Sequence, residues 1–312
     1  MVTSNFTFLS NNKKTKIHAV KWIAEDKEIC AILQITHGMV EFIERYAPFA
    51  EFLTEHGYMV VGHDHIGHGE SVSTKEDYGF FCEENPSDIL VEDMHKLRLI
   101  IQEEYSDIPY FMLGHSMGSF MLRKYLGKYQ EDLQGAILMG TGFIPQKTTA
   151  LALKLAHMIG KIRGSHYRSK LIENLTFGSS YKAFDMTGQN PKKSWLTKDV
   201  EIVKAYYQEP KSDFMFTVNG YIGLFEAVHD ACNQEYVNQY SKDIPILVVS
   251  GADDPVGDMG SGIMKTYHML ESAEISDITY KLYENDRHEI LNETDRNVVF
   301  KDLLAWLDNH KN

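Results

Sequence analysis

The sequence predicts an α/β fold, in which a mostly parallel, doubly wound sheet carries an N-terminal antiparallel hairpin and an inserted, mainly helical cap. Short apolar segments typical of buried strands alternate with longer segments of helical periodicity. One strand-to-helix junction carries the motif G-x-S-x-G. The alternation breaks between residues 143 and 219 and then resumes. We therefore divide the chain into a core of residues 1–142 and 220–312 and a cap of residues 143–219.

The individual elements follow from this alternation. An alternating apolar and polar pattern predicts the antiparallel hairpin over residues 5–9 and 16–23. A near-continuous apolar run predicts a strand buried on both faces over residues 29–36. Further strands are predicted over residues 58–62, 110–113, 135–139, 246–250 and 278–283. Helical spacing predicts helices over residues 47–55, 88–104, 119–129, 221–232, 263–270 and 298–309.

Composition and charge limit the classes of function. The chain has 312 residues, 43% of them hydrophobic and 24% charged, which is ordinary for a globular protein with a sizeable core. Its net charge of −13 argues against a general role in nucleic-acid binding, since phosphates require a basic surface. Nothing in the sequence indicates an obligate protein partner.

The distribution of cysteines and apolar residues predicts the compartment. Cys30, Cys82 and Cys232 are widely spaced and form no pairing pattern, so we expect no structural disulfide. The first residues are polar and lack the apolar region of a signal peptide. No apolar stretch approaches the eighteen residues that a membrane span requires. We expect a soluble protein in the cytoplasm.

The pentapeptide from Gly114 to Gly118 reads G-H-S-M-G between an apolar strand and a helix. In this context the motif predicts a nucleophile elbow, a turn so sharp that side chains two positions away from the serine would clash. Ser116 is therefore the candidate nucleophile. The backbone N–H of Met117, at the start of the helix, points into the same space and is a candidate donor to an oxyanion.

A serine nucleophile needs a base and an acid that orients the base, and in sheets of this type both follow the serine on loops after later strands. His288 lies just past the last predicted strand and is the candidate base. The preceding strand ends at the adjacent pair Asp253 and Asp254. The G-x-x-D-x-V pattern favours Asp254 as the orienting acid, with Asp253 as the alternative.

A second oxyanion donor is expected on the loop after an early strand. The segment from His37 to Met39 ends such a strand, and the backbone N–H of Met39 is the candidate. This mechanism requires neither a metal nor another cofactor. The spacing His63-x-His65-x-x-His68 resembles a two-metal signature, but Gly67 occupies the position of a required ligand. We therefore interpret that loop as a glycine-bent turn with hydrogen-bonded histidines and Asp64.

With these residues placed, the chain resembles the α/β-hydrolase superfamily. Within it, the chain is similar to the monoacylglycerol lipase and lysophospholipase-like family, also called serine aminopeptidase-type hydrolases. Three segments carry the resemblance: H-G-x-x-E-x-x-x-R-Y at 37–46, D-H-x-G-H-G-x-S at 64–71 and G-H-S-M-G at 114–118. Asp254 and His288 fall where the acid and base of the family fall. Ser119 departs from the pattern, because the family more often has a second glycine there.

The resemblance implies a serine hydrolase that cleaves a single-chain lipid ester, a monoacylglycerol or a lysophospholipid, through an acyl-enzyme. The cap shows no family motif, so the substrate-binding residues are left within residues 143–219. Two alternatives within the same chemistry are a short-chain carboxylesterase and a peptidase that releases N-terminal residues. An alternative of another class is a non-catalytic binding protein with this fold.

One part of the cap differs in charge from the rest of the chain. Residues 143–172 contain six basic residues and no acidic residue: Lys147, Lys154, Lys161, Arg163, Arg168 and Lys170. Apolar residues recur at helical spacing between residues 151 and 162. One interpretation is peripheral contact with anionic lipid or a substrate phosphate. The other is a helix docked on the core with a solvated basic face.

Overall fold

The computed structural model describes residues 1–311, and for Ser179 the backbone alone. Eight strands form one sheet: β1 Val2–Leu9, β2 Lys16–Ile23, β3 Ala31–Thr36, β4 Tyr58–His63, β5 Tyr110–His115, β6 Gly135–Met139, β7 Ile246–Gly251 and β8 Ile278–Tyr283. Their spatial order is β1-β2-β4-β3-β5-β6-β7-β8. The pairs β1–β2 and β2–β4 are antiparallel, and the remaining pairs are parallel. The predicted hairpin and mostly parallel sheet are confirmed.

Helices connect the strands and cover both faces of the sheet. Their bounds are α1 Ala47–Thr54, α2 Pro86–Glu104, α3 Met117–Leu126, α4 Gln146–Arg163, α5 Lys170–Thr176, α6 Val200–Gln208, α7 Val218–Ala231, α8 Gln234–Val237, α9 Ser261–Ser272 and α10 Arg296–His310. One hydrophobic core lies between the sheet and a layer that includes α2, α3 and α7. A second core lies on the other face, under α1 and α10.

The central strands are buried along their whole length. Every residue of β3, β4, β5, β6 and β7 is buried, as their continuous apolar sequences predict. The edge strand β8 is mostly exposed or half-buried. Because β3 to β8 run parallel, their carboxyl ends share one edge of the sheet, and the loops after them meet there. That edge carries the candidate site.

Residues 143–219 contain α4, α5 and α6 and, within the described chain, no strand of the sheet. The helix α7 begins at Val218, just before the predicted boundary of the cap. Within the described residues, no helix combines the length and the apolar character needed to cross a membrane.

The long helix α4 packs on α7 and turns its apolar stripe outward. Its buried positions are the small residues Thr149 and Ala156. Leu151, Met158 and Ile162 are exposed to 68%, 54% and 74%. Helical periodicity in the sequence therefore found the apolar face of α4, but most of this face does not dock on the core.

Candidate active site

Ser116 occupies a strained turn between β5 and α3. Its φ of +53° and ψ of −121° lie outside the regions that L-residues ordinarily adopt. A Cβ atom on Gly114 would overlap the carbonyl of Gly118, and one on Gly118 would overlap the carbonyl of Thr36. Both glycines are therefore required sterically. Ser119 fits as well, because its buried hydroxyl donates to the backbone carbonyl of Ser116 at 2.6 Å.

His288 and Asp254 form a buried pair at the ends of β8 and β7. The Nδ1–H of His288 donates to Asp254 Oδ2 at 3.0 Å. The carboxylate of Asp254 also accepts from the Ser250 hydroxyl and from the Val256 backbone N–H, each at 2.8 Å. Asp253 is exposed. The structure therefore brings Asp254, and not Asp253, to His288.

The imidazole of His288 lies beside the elbow. Its ring centroid is 4.7 Å from that of His115, the residue before Ser116. A Cβ atom on Gly140 would lie 3.0 Å from the His288 ring and 3.2 Å from the His115 ring. Among residues 1–311, the Ser116 hydroxyl makes no hydrogen bond to His288. Catalytic hydrogen bonds of this kind often tighten only when substrate is in place.

The loop after β3 approaches the elbow closely. A Cβ atom on Gly38 would lie 3.0 Å from that of Ser116. His37 fixes the Gly38–Met39 peptide, because its Nδ1–H donates to the Gly38 carbonyl at 2.8 Å while its Nε2 accepts from the His65 N–H at 2.9 Å. Neither the Met39 N–H nor the Met117 N–H donates to another group of the described chain. Both can therefore donate to a ligand.

A buried ionic network supports the loop after β3. The Arg45 guanidinium donates to Glu41 at 2.9 Å. It also makes two hydrogen bonds of 2.7 Å to Glu289, a partner that the sequence did not indicate. Glu41 accepts from the Gly38 N–H at 2.5 Å and from the His115 Nδ1–H at 2.9 Å.

The charges in this network stabilise one another. Burial alone would raise the pKa of Glu41, but the hydrogen bond and charge of His115, together with Arg45, hold this pKa below its ordinary value. Burial opposes the charged form of His115, yet its bond to Glu41 raises the pKa of His115. Its Nε2–H donates to the backbone carbonyl of His288 at 3.3 Å. His115 therefore connects the loop after β3 to the loop that carries His288.

The histidine-rich loop after β4 is buried beneath the same site. Asp64 accepts from the backbone N–H groups of Ile43 and Glu70 at 2.8 and 2.9 Å. The expectation that the histidines are hydrogen-bonded is wrong for His63 and His65, whose ring nitrogens have no partner within residues 1–311. No group of three or more His, Cys, Asp or Glu side chains in the described chain is arranged to hold a metal ion.

One residue of the site, Trp195, was not singled out from the sequence. It lies within residues 143–219. Its indole stacks on His288 with ring centroids 4.9 Å apart and an interplanar angle of 29°. Tyr181 packs edge-on against Trp195, with ring centroids 5.4 Å apart. Trp195 lies far from His288 along the chain, and its only signal was membership of an aromatic-rich segment.

Comparison with known proteins shows what this chain is similar to. The family described as Serine aminopeptidase, S33 (Hydrolase_4) matches residues 27–295. A monoglyceride lipase homolog of monkeypox virus is 25% identical over 284 residues, covering 89% of this chain and 90% of that protein. A monoacylglycerol lipase of Mycolicibacterium smegmatis is 22% identical over 285 residues, covering 91% of this chain and 90% of that protein.

The fold has close counterparts among solved structures. A highly thermostable carboxyl esterase from Bacillus coagulans, in complex with glycerol, superposes with a TM-score of 0.90 and 27% identity, and each chain is covered completely. The resemblance drawn from the sequence is therefore confirmed at the level of family and fold. The chain belongs to the Serine aminopeptidase, S33 family of α/β-hydrolases and is a serine ester hydrolase.

Proposed function

We propose that the protein hydrolyses the carboxylic ester of a single-chain lipid through an acyl-enzyme. Ser116 is the nucleophile, His288 is the general base and then the general acid, and Asp254 orients His288. The backbone N–H groups of Met39 and Met117 bind the oxyanion. The observation that carries this proposal is the buried His288–Asp254 pair beside the strained turn of Ser116.

The geometry supports each step of the reaction. Because Nδ1–H of His288 is engaged by Asp254, the neutral ring presents an unprotonated Nε2, which accepts the proton of the Ser116 hydroxyl as it attacks the ester carbonyl. His288 then protonates the departing alcohol. Water, deprotonated by the same nitrogen, attacks the acyl-enzyme and releases the acid.

The oxyanion of each tetrahedral intermediate lies where the two free N–H groups meet. One comes from a helix N-terminus at Met117, and the other from the Gly38–Met39 peptide, whose carbonyl accepts from His37. Removing one such donor from an acyl-transfer enzyme typically costs ~10²–10³ in kcat. The site therefore lowers the barrier with main-chain groups whose orientation is set before substrate arrives.

We further propose that residues 143–219 form a cap over the acyl site. Trp195, Tyr181 and Phe177 pack together above His288, and aromatic side chains of this kind suit an apolar acyl chain. The relatives described as monoglyceride lipases support a monoacylglycerol substrate. A lysophospholipid differs only in its head group and is the second candidate.

A substrate panel tests this choice. It holds p-nitrophenyl esters from acetyl to palmitoyl, monooleoylglycerol, a lysophosphatidylcholine and proline p-nitroanilide. We expect the highest kcat/KM on long-chain monoacylglycerol. A preference for acetyl esters would instead support a short-chain carboxylesterase, and turnover of the anilide alone would support a peptidase. No turnover of any substrate would support a non-catalytic binding protein.

We propose a peripheral contact with anionic membranes through α4 and α5. Five apolar side chains of α4 and α5 are well exposed, and we call them together the outer patch: Leu151, Met158, Ile162, Leu171 and Leu175. Lys154 and Lys161 are exposed next to it on α4. An exposed apolar stripe bordered by lysines is the arrangement by which amphipathic helices bind anionic bilayers.

We also propose a cytoplasmic location. Cys30, Cys82 and Cys232 are all free thiols, as is usual for proteins of reducing compartments. Fractionation of cells that produce the protein tests this proposal, and recovery outside the cytoplasm would contradict it.

A further inference from the structure

Three side chains enclose the imidazole of His288. The ring of His115, from the elbow, packs against it at a centroid distance of 4.7 Å and an interplanar angle of 37°. The indole of Trp195, from the inserted segment, stacks on it at 4.9 Å and 29°. Asp254 holds the ring edge at Nδ1. Trp195 is the one member of this enclosure that the core does not supply.

Trp195 is itself fixed by main-chain hydrogen bonds to the loop that carries His288. We call residues 192–198 the strap and residues 286–293 the histidine loop. The N–H of His288 donates to the Trp195 carbonyl at 3.3 Å, and the N–H of Glu289 donates to the Leu196 carbonyl at 2.7 Å. The Thr197 hydroxyl donates to the Asn292 carbonyl at 2.9 Å.

Two charged side chains fasten the ends of the strap. The Arg287 guanidinium donates to the carbonyls of Ser194 at 2.5 Å, Thr197 at 3.3 Å and Lys192 at 3.1 Å. The Lys198 ammonium donates to the fully buried Asp286 at 2.8 Å. Breaking these contacts would leave a buried carboxylate and several carbonyls without partners. The strap therefore follows the histidine loop closely and places the indole on the ring.

We propose that Trp195 is a positioning residue for His288, so that the inserted segment forms part of the support of the catalytic base. With the indole in place, the ring cannot tilt away from His115, and its Nε2 stays directed at the elbow. Without it, one face of the ring is open to water and to rotation about the side-chain torsions. This inference rests on the proposed function, in which His288 is the base.

A simpler role for Trp195 is that of a wall of the acyl site. The two roles predict different kinetics. A wall contacts the substrate, so its loss raises KM, and raises it more for longer acyl chains. A positioning residue acts on the base, so its loss lowers kcat by the same factor for every ester. A misplacement of about 1 Å at a catalytic group can cost ~10²-fold in rate.

The test compares Trp195→Ala, Trp195→Leu and Trp195→Phe with wild type on butyryl and lauroyl p-nitrophenyl esters. We expect Trp195→Ala and Trp195→Leu to lower kcat ~10- to 100-fold on both esters, with little change in KM. Trp195→Phe, which restores an aromatic face, should recover most of the loss. Phe184→Ala is the matched control, because Phe184 contacts Arg287 of the histidine loop but not the His288 ring. Its kcat should stay close to wild type.

Several outcomes would overturn the inference. The first is an unchanged kcat in Trp195→Ala. The second is a rise in the KM of Trp195→Ala that grows with acyl chain length. The third is a fall in the kcat of Phe184→Ala as large as that of Trp195→Ala. If Trp195→Ala does not fold, equal kcat values for Trp195→Leu and Trp195→Phe would overturn it. Wild type that neither turns over esters nor reacts with a fluorophosphonate probe would refute the proposed function, and the inference with it. Wild type that reacts while these variants keep its kcat would refute the inference alone.

Discussion

At the scale of single residues, Asp253 and Asp254 show how environment assigns function. They are adjacent and chemically identical, yet Asp253 is exposed and Asp254 is fully buried. Asp254 accepts hydrogen bonds from His288, Ser250 and the Val256 N–H, so its carboxylate is fixed. The loop pattern in the sequence favoured Asp254, and the contact with His288 agrees.

This difference yields a paired prediction. Asp254→Asn replaces an acceptor with a group that favours the wrong tautomer of His288, and we expect kcat to fall ~10⁴-fold. Asp253→Asn removes the same charge from the neighbouring exposed position, and we expect kcat close to wild type. Ester hydrolysis by the two purified variants checks this. Similar losses in both would contradict the assignment.

Arg45 is a second residue whose role depends on burial. It pairs with Glu41 and Glu289, and its side chain is 11% exposed. Arg45→Met would leave two buried carboxylates without their cation, so we expect the free energy of unfolding to fall by ~3–5 kcal/mol. Urea denaturation measures this change.

The control for this prediction is a surface pair on α6. Lys204 lies 2.7 Å from Glu201, and both side chains are well exposed. Lys204→Met should change the free energy of unfolding by less than ~1 kcal/mol. If Arg45→Met were as mild as Lys204→Met, the buried network would not contribute to stability as we argue.

At the scale of elements, β4 and the loop after it carry buried neutral histidines. Burial, with a smaller contribution from His37, lowers the pKa of His63 to about 3. Burial likewise lowers the pKa of His68 to about 3. In the unfolded chain these rings bind protons below about pH 6.5. Stability is therefore lost as the pH falls, because the unfolded state binds more protons than the native state.

The variant His63→Leu tests this argument. Between pH 6.5 and about 3, the unfolded wild type gains a proton at His63 that the folded protein does not accept. We expect His63→Leu to lose less stability than wild type on acidification, by up to ~1.4 kcal/mol per pH unit. Urea denaturation at several pH values in this range measures both curves. Parallel curves would show that His63 does not resist protonation in the fold.

The elements also show what the sequence predicts well. Strands buried on both faces are continuous apolar runs, so β4 and β6 were predicted to within one residue. The exposed start of β1 at Val2 was missed, because it has little apolar content. Periodicity found α4 and its apolar face. It did not show that the buried residues of α4 are the small ones, Thr149 and Ala156. An apolar periodicity does not reveal which face of a helix packs on its neighbour.

At the scale of the whole molecule, chain topology explains why most of the site was predictable. Parallel strands bring the loops after β3, β5, β7 and β8 to one edge, so the order of motifs along the chain was enough to bring Met39, Ser116, Asp254 and His288 together. Glu289 and Trp195 were not predictable in this way. Their contacts with Arg45 and His288 join segments far apart in sequence and depend on three-dimensional packing.

The outer patch gives a prediction for the whole molecule. Ile162→Glu places a charge in the most exposed position of the patch, which is 74% exposed. We expect it to weaken co-sedimentation with anionic vesicles ~10-fold or more, because burial of an apolar side chain in the interface is replaced by repulsion. Leu99→Glu, at a 50% exposed leucine on α2, is the matched control and should bind as wild type does. Equal binding of both variants would exclude the patch as the contact.

The central claim is that Ser116 is acylated during turnover. Its most direct test is reaction with a fluorophosphonate probe, peptide mapping by mass spectrometry, and ester hydrolysis by wild type, Ser116→Ala and Ser119→Ala. We expect one label on Ser116 in wild type and in Ser119→Ala. Ser116→Ala should remain unlabelled and hydrolyse esters at least ~10³-fold more slowly. An unlabelled wild type, a label on another residue, or a Ser116→Ala variant with the wild-type rate would contradict the account.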